Sequence, residues 1–247
     1  MGSGASTVDQ AQVDHFDAAG DAWAPDGYAR WLYRYNPARV GYIRDRACAA
    51  FGRDPAREAP LTGLRILDIG CGTGILCEPL AELGASVIGA DPAERVIAVG
   101  AARAETLGLA IDYRGQTAEA LAEAGERFDV VTAMEVIEHV ADTRLFLQTC
   151  AELVKPGGVL VLSTMNRTAK SWFQAIVMAE YVLGLLPRGA HQWRRFVRPE
   201  EVDVQLAPAG MRVTDVTGVT MNLRTLMMQP SRRTGVNYML AARRGTA

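Results

Sequence analysis

The amino-acid sequence predicts an α/β fold: a seven-stranded, mostly parallel sheet with helices on both faces, an N-terminal helical extension, and a helical insertion after strand five. Three observations predict it. Short runs rich in β-branched residues and leucine alternate with helical stretches of about 10 to 15 residues, the rhythm of βαβ units. The first run, Leu64 to Ile69, stops at a glycine cluster. The second stops at an acid, Asp91.

Taken in order, residues 1 to about 12 are small and polar and read as a mobile leader. The start, Met1 to Ser6, has the form of a myristoylation signal but reads as a flexible leader, because the pattern is short and its residues are common. His15 to Gly52 reads as helical, with Trp23, Tyr28, Trp31, Leu32, Tyr35, Tyr42 and Ile43 supplying apolar surface. Gly52 to Thr62, with Pro55 and Pro60, is a linker. The boundaries are therefore an extension over 1–60 and a main domain over 61–247.

In the main domain Leu64–Ile69 is a buried strand and Gly74 to Leu83 a helix. Ala85 to Ala90 is the second strand, followed by a helix from Glu94 to Leu107 closed by Gly108. Ala110–Arg114 and Phe128–Ala133 are strands three and four. A helix from Thr143 to Val154 stops at Lys155-Pro156-Gly157-Gly158, and Val159–Ser163 is strand five. The insertion, 166–198, holds an apolar segment (Lys170 to Leu186) and a basic loop (Arg188 to Arg198). Pro199-Glu200-Glu201 opens a helix, with proline in the first turn and acids at the positive dipole end. Met211–Val219 and Val236–Arg243 alternate as two late strands.

Composition sets outer limits. The chain has 247 residues, enough for one domain with a subdomain; with 49% apolar and 22% charged residues it can bury a core. A net charge of -2 argues against a bulk nucleic-acid partner. Cys48, Cys71, Cys77 and Cys150 form no C-x-x-C pair, so zinc-knuckle and thioredoxin spacings are excluded and a reducing cytoplasm is expected. No apolar run reaches about 18 residues and no signal peptide is visible, so no membrane span is expected.

The chemistry concentrates at the first two strand ends. Gly70-Cys71-Gly72-Thr73-Gly74 allows a tight strand-to-helix turn and close approach of a ligand to the backbone. Asp91 lies beside that loop in a Rossmann-like sheet, placed to accept hydrogen bonds from two ribose hydroxyls. A dinucleotide fingerprint needs a glycine where Ile75 stands. The pattern is instead D-x-G-x-G-x-G from Asp68, and it resembles motif I of class I S-adenosylmethionine-dependent methyltransferases. Phe128-Asp129-Val130-Val131 and Lys155-Pro156-Gly157-Gly158 resemble later motifs of that superfamily. The resemblance places adenine at the turn Gly115 to Glu119, where Gln116 and Thr117 are the polar candidates; a solvated turn would look the same.

A narrower resemblance rests on Asn36-Pro37-Ala38-Arg39, Met134-Glu135-Val136-Ile137-Glu138-His139-Val140, Ser163-Thr164-Met165-Asn166-Arg167-Thr168-Ala169-Lys170-Ser171, Leu186-Pro187-Arg188-Gly189-Ala190-His191 and Val236-Asn237-Tyr238-Met239. In this order they resemble the ubiquinone-biosynthesis O-methyltransferases, over about Phe16 to Arg243. The resemblance implies S-adenosylmethionine as donor, held by Arg39, Gly70, Asp91 and Met134, with Asp68, Gly72 and Gly74 completing the loop. It implies a polyprenylated phenol or quinol acceptor and a cytoplasmic enzyme peripherally associated with the inner membrane, in a complex with other ubiquinone-biosynthesis proteins. The chain departs from the family pattern at Trp23-Ala24-Pro25, Trp31-Leu32-Tyr33 and Asn222-Leu223. The first two departures motivate a second reading, a soluble phenol as acceptor. A third reading is a membrane-associated scaffold with a retained nucleoside pocket, against which the intact glycines and Asp91 argue.

Glu135, Glu138 and His139 follow strand four, where open α/β sheets bind ligands. Three readings stand. In the eukaryotic branch this set is associated with Mg²⁺, which would acidify a catechol-like hydroxyl. Alternatively His139 or a glutamate is a general base without metal. The third reading is a solvated loop with Glu138 as a helix cap. The insertion is similarly open. Its apolar segment, bordered by Arg167, Lys170, Arg188, Arg194, Arg195 and Arg198, suits an anionic membrane surface or a lid over the pocket.

Overall fold

The computed structural model describes residues 7–18, 30–182, 192–222 and 224–246. Trp23, Tyr28, Trp23-Ala24-Pro25, the Met1–Ser6 signal, Leu183 to Leu186, the Leu186 to His191 motif with Arg188, and Leu223 lie outside them.

The helices are α1 (Gln10–Ala18), α2 (Arg30–Phe51), α3 (Cys77–Glu82), α4 (Glu94–Leu107), α5 (Ala118–Glu123), α6 (Thr143–Leu153), a single turn α7 (Ala169–Ser171) and α8 (Pro199–Leu206). The strands are β1 (Arg65–Ile69), β2 (Ser86–Ala90), β3 (Ile111–Arg114), β4 (Phe128–Met134), β5 (Val154–Met165), β6 (Met211–Met221), β7 (Met228–Ser231) and β8 (Asn237–Arg244). They form one sheet in the order β3-β2-β1-β4-β5-β8-β6-β7. β1 to β5 pair in parallel, and β8, β6 and β7 add antiparallel. The doubly wound class stands, with eight strands in place of seven. The extra strand, Met228-Gln229-Pro230-Ser231, is four residues long, has no apolar alternation and contains a proline. Proline removes a ladder donor and is tolerated at a sheet edge, which is where β7 lies.

Two apolar cores cover the sheet faces. One joins Leu67, Ile69, Val131, Leu160, Leu162 and Leu240 to α6 and α8 through Phe146, Leu147, Val202 and Leu206. The other joins Ile66, Val87, Val130, Val161 and Met239 to α2 through Tyr35, Tyr42, Ile43 and Ala47. The alternation along β1 and β5, one residue to each face, sets this division. The extension's second helix therefore shares the core of the main sheet. Local signals explain the ends: Gly108 closes α4 in the left-handed conformation (φ 67°), and Asp142 caps α6 by accepting from the N–H groups of Arg144 and Leu145, a contact worth about 1 kcal/mol.

Three expectations shift. The helix expected from Gly74 starts at Cys77, because the last glycine is in a turn (φ 81°). The supposed mobile leader is held from Thr7 onward. Thr7 is buried, its N–H and hydroxyl donate to Glu119 Oε1, and its carbonyl accepts from Ala141 N–H at 2.9 Å. The apolar insertion enters by α7 and winds on as a wider, π-type helix, Trp172–Val182. Its base is pinned to the chain before β8: Asn166 Nδ2 donates to Thr234 O at 2.9 Å and Thr168 Oγ1 to Gly235 O at 2.6 Å. Trp193 Nε1 closes the far side by donating to Thr168 O at 2.9 Å. Among the described residues no helix is long and apolar enough to cross a membrane.

Candidate active site

A cavity opens at the C-terminal ends of β1, β2 and β4, where such sheets bind ligands. Its floor runs from Asp68, at the end of β1, through the loop that follows to Thr73. The backbone here requires glycine. Gly70 has φ +66°, and a Cβ on it would lie 2.6 Å from Val136 Cγ2; Gly74 has φ +81°, and a Cβ there would lie 1.8 Å from Tyr113 Oη. Gly70 faces the cavity, whereas Gly74 is outside its lining and makes room for the Tyr113 ring.

Asp91 closes one side. Its Oδ2 accepts from Gly72 N–H at 3.0 Å and its Oδ1 from Ala93 N–H at 2.9 Å, which ties the second strand end to the glycine loop. A carboxylate offers about four acceptor positions, so these amides and two ribose hydroxyls are compatible. Gln116 and Thr117 line the adjoining wall. Thr117 also caps α5 by accepting from Ala120 N–H at 3.2 Å.

Arg39 reaches the cavity from α2 and is only 4% exposed. Its Nη2 donates to Asn36 Oδ1 at 3.0 Å and to Leu32 O at 3.4 Å, while Nε has no partner among the described residues. Burial lowers the guanidinium's pKa from its ordinary value. Thr73 Oγ1 in the loop is likewise buried and unpartnered. Two orphaned donors among the lining residues suit an incoming carboxylate, since an unpaired buried polar group is costly. Below them Asp68 is buried, accepting from Thr132 Oγ1 at 2.6 Å and Cys77 Sγ at 3.4 Å. Burial pushes its carboxyl up to about 6.

Met134, Glu135 and His139 form the opposite wall. Glu135 follows β4 with φ +60°, the left-handed region that long side chains rarely adopt. Its Oε1 accepts from Ser163 Oγ at 2.6 Å. Burial, then the charge of Glu138, raises its carboxyl to about 7. Glu138 is buried outside the cavity lining, its Oε2 accepting from Thr164 Oγ1 at 2.8 Å, and burial raises it to about 7 as well. His139 Nδ1 hydrogen-bonds Gln12 Oε1 at 3.0 Å.

The cavity thus gathers Arg39, Asp68, Gly70, Gly72, Asp91, Gln116, Thr117, Met134, Glu135 and His139, and leaves Gly74 and Glu138 behind it. It also holds Thr7, Val8, Asp9, Gln12 and Val13, which no sequence signal marks for it. They form no motif, and their fixing contacts are long-range. Asp9 is one of these, paired with Arg195 of the insertion at 2.9 Å. Ser163 and Thr164 were visible only as part of a signature, with no role attached.

Known proteins resemble this chain along most of its length. A family model described as a methyltransferase domain matches residues 40–216. A ubiquinone biosynthesis O-methyltransferase of Rhizobium etli is 52% identical over 240 residues, covering 97% of each chain. One from Brucella anthropi is also 52% identical over 240 residues, again covering 97% of each. Among solved structures, a magnesium protoporphyrin IX methyltransferase from Synechocystis with bound S-adenosylmethionine superposes with a TM-score of 0.61 at 20% identity, covering 99% of this chain and 100% of its own. An S-adenosylmethionine-dependent methyltransferase from Clostridium acetobutylicum gives 0.61 at 12% identity, covering 96% and 99%.

Proposed function

This chain belongs to the ubiquinone-biosynthesis O-methyltransferases, S-adenosylmethionine-dependent enzymes, and we propose that Glu135 is the base through which it methylates a ring hydroxyl. The acceptors are polyprenyl-hydroxyphenol and demethylubiquinol intermediates.

Arg39 Nε and Thr73 Oγ1 would hold the donor's carboxylate, Asp91 its ribose, and Gln116 and Thr117 its adenine, with the soft side chain of Met134 suited to its sulfonium. Bound S-adenosylmethionine supplies an electrophilic methyl group. Glu135 takes the acceptor's phenolic proton at a carboxylate oxygen, and the oxygen anion left behind is the nucleophile. A phenol ordinarily ionises near 10, so a base poised near 7 is a good match for this transfer at neutral pH. The observation that carries the assignment is the coincidence at Glu135 of a cavity position, a strained backbone and a raised carboxyl. Tyr35 is no rival, because burial, then the Glu135 charge, raises its phenol well above the ordinary value.

A divalent cation does not fit the three residues as they stand. Ser163 and Thr164 each occupy a glutamate oxygen, Glu138 is behind the wall, and among the described residues no three His, Cys, Asp or Glu side chains converge. No step is routed through a metal. A second reading has one observation in its favour: with Nδ1 donating to Gln12, the basic nitrogen of His139 is Nε2. Methyl-transfer assays on Glu135→Gln and His139→Ala, each with and without EDTA, decide among them. The Glu135 reading requires the glutamine variant to lose about 100-fold or more in kcat and the parent to be indifferent to chelation.

The acceptor's tail makes an anionic membrane surface the natural workplace. Trp172 and Phe173 are 47% and 50% exposed at the start of the insertion, with exposed Lys170 beside them and exposed Arg194 on the return. We assign this border to peripheral contact with the anionic surface of the inner membrane, where each basic residue contributes about 1 kcal/mol.

A further inference from the structure

We infer that Ser163 and Thr164, at the end of β5, are the positioning residues of this reaction: Ser163 sets the backbone and carboxyl orientation of Glu135, and Thr164 keeps Glu138 out of the cavity. The inference rests on Glu135 as the base.

The strain at Glu135 is the starting point. Apart from glycines, only Glu135 and Leu226 have positive φ among the described residues, and Leu226 is in an exposed turn. Such a conformation persists when its surroundings over-determine it, and it clusters at functional sites. Ser163 supplies that restraint twice. Its carbonyl accepts from Glu135 N–H at 3.0 Å, and its hydroxyl donates to Glu135 Oε1 at 2.6 Å. Ser163 is completely buried and registers with Met134 in the β4–β5 ladder, so the clamp is part of the sheet itself. One residue thereby fixes both the backbone and one carboxyl oxygen of the glutamate, whose carboxyl also meets that of Glu138.

Thr164 does the complementary task. It too is completely buried, and its hydroxyl donates to Glu138 Oε2 at 2.8 Å. Successive strand residues point opposite ways, so the two hydroxyls of a Ser–Thr step serve two carboxylates rather than one. Two buried acids three residues apart otherwise compete for one place. The step sorts them into one that faces the cavity and one that does not.

The test uses the full chain with S-adenosylmethionine and a short-tailed, soluble prenylated catechol. Ser163→Ala is expected to lower kcat about 10- to 100-fold, part of the range a general base supplies, with acceptor KM and S-adenosylhomocysteine Kd within about twofold. Combined with Glu135→Gln it should lower kcat no further than Glu135→Gln alone, since the two changes act through one group. Thr164→Val should lower kcat several-fold and Thr164→Ser should restore it. If Ser163→Ala does not fold, Ser163→Cys keeps the volume with a weaker donor and reads the same loss in smaller measure. Full additivity of Ser163→Ala with Glu135→Gln, or a loss confined to KM or Kd, overturns the inference. A large Glu135→Gln loss with normal Ser163 variants overturns it while leaving the base in place. An active Glu135→Gln enzyme removes the base reading instead.

Discussion

Replacing Asp91 by alanine tests how the cavity holds a nucleoside. The carboxylate already accepts from two loop amides, Gly72 at 3.0 Å and Ala93 at 2.9 Å, so its oxygens are fixed before any ligand arrives. Pre-fixed, charge-assisted hydrogen bonds to two ribose hydroxyls should contribute about 2–4 kcal/mol together, allowing for the half-buried site. That is about a 30- to 1000-fold weaker Kd for S-adenosylhomocysteine. Asp91→Asn keeps one good acceptor and the side-chain volume, so it should lie between the two. Titration calorimetry gives the affinities, and the melting temperature of the ligand-free variants shows whether the loop has collapsed. An alanine variant that melts normally and binds within about threefold of the parent would refute the ribose assignment.

Other expectations follow from the same geometry. Glu135 must be ionised to take a proton, so kcat should rise with pH through about 7 and level off, and Glu135→Gln should abolish the rise; a flat parent profile contradicts this. Stability runs the other way: carboxyls raised to about 6 at Asp68 and about 7 at Glu135 and Glu138 contribute fully below about pH 4 and lose that contribution as pH climbs through 6 to 7, which melting temperatures across that window would show. Gly74→Ala combines left-handed backbone with a Cβ 1.8 Å from Tyr113 Oη, a cost of about 2–4 kcal/mol and a fall of roughly 5–15 °C in Tm. Adding Tyr113→Phe should recover part of it, because that hydroxyl has no partner among the described residues; no recovery, or no loss in the first place, would be inconsistent with this packing. Lys170→Gln with Arg194→Gln should weaken co-sedimentation with anionic vesicles while sparing methylation of a soluble catechol. Arg195 and Arg198 are left alone, since the first is paired with Asp9 and the second donates to Arg167 O. Equal binding to neutral and anionic vesicles would sink the electrostatic part.

The parallel half of the sheet was legible because its signals are local. A run such as Leu64–Ile69 must be buried on both faces, and a glycine loop must end it. The edge strand Met228–Ser231 was not legible, because what makes it a strand is its pairing with Gly218 to Met221 rather than any pattern of its own. That the glycine loop, Asp91 and Arg39 share one cavity could be expected from spacing and resemblance. The division between Glu135 and Glu138 could not. Both stand in one short motif, and only the tertiary placement of Ser163 and Thr164 separates them. The same holds for Thr7 to Val13, whose place on the cavity wall depends on Glu119, Ala141, His139 and Arg195, all distant in sequence.

The most direct measurement is methyl transfer itself. The purified chain is incubated with S-adenosylmethionine carrying an isotopically labelled methyl group and with a prenylated catechol, beside the same ring with one hydroxyl already methylated and the same ring without its tail. The expected result is label on a ring oxygen of the prenylated catechol, one S-adenosylhomocysteine formed per methyl transferred, and faster turnover with the tail than without it. Label on carbon, or efficient transfer to the tail-less phenol alone, would contradict it.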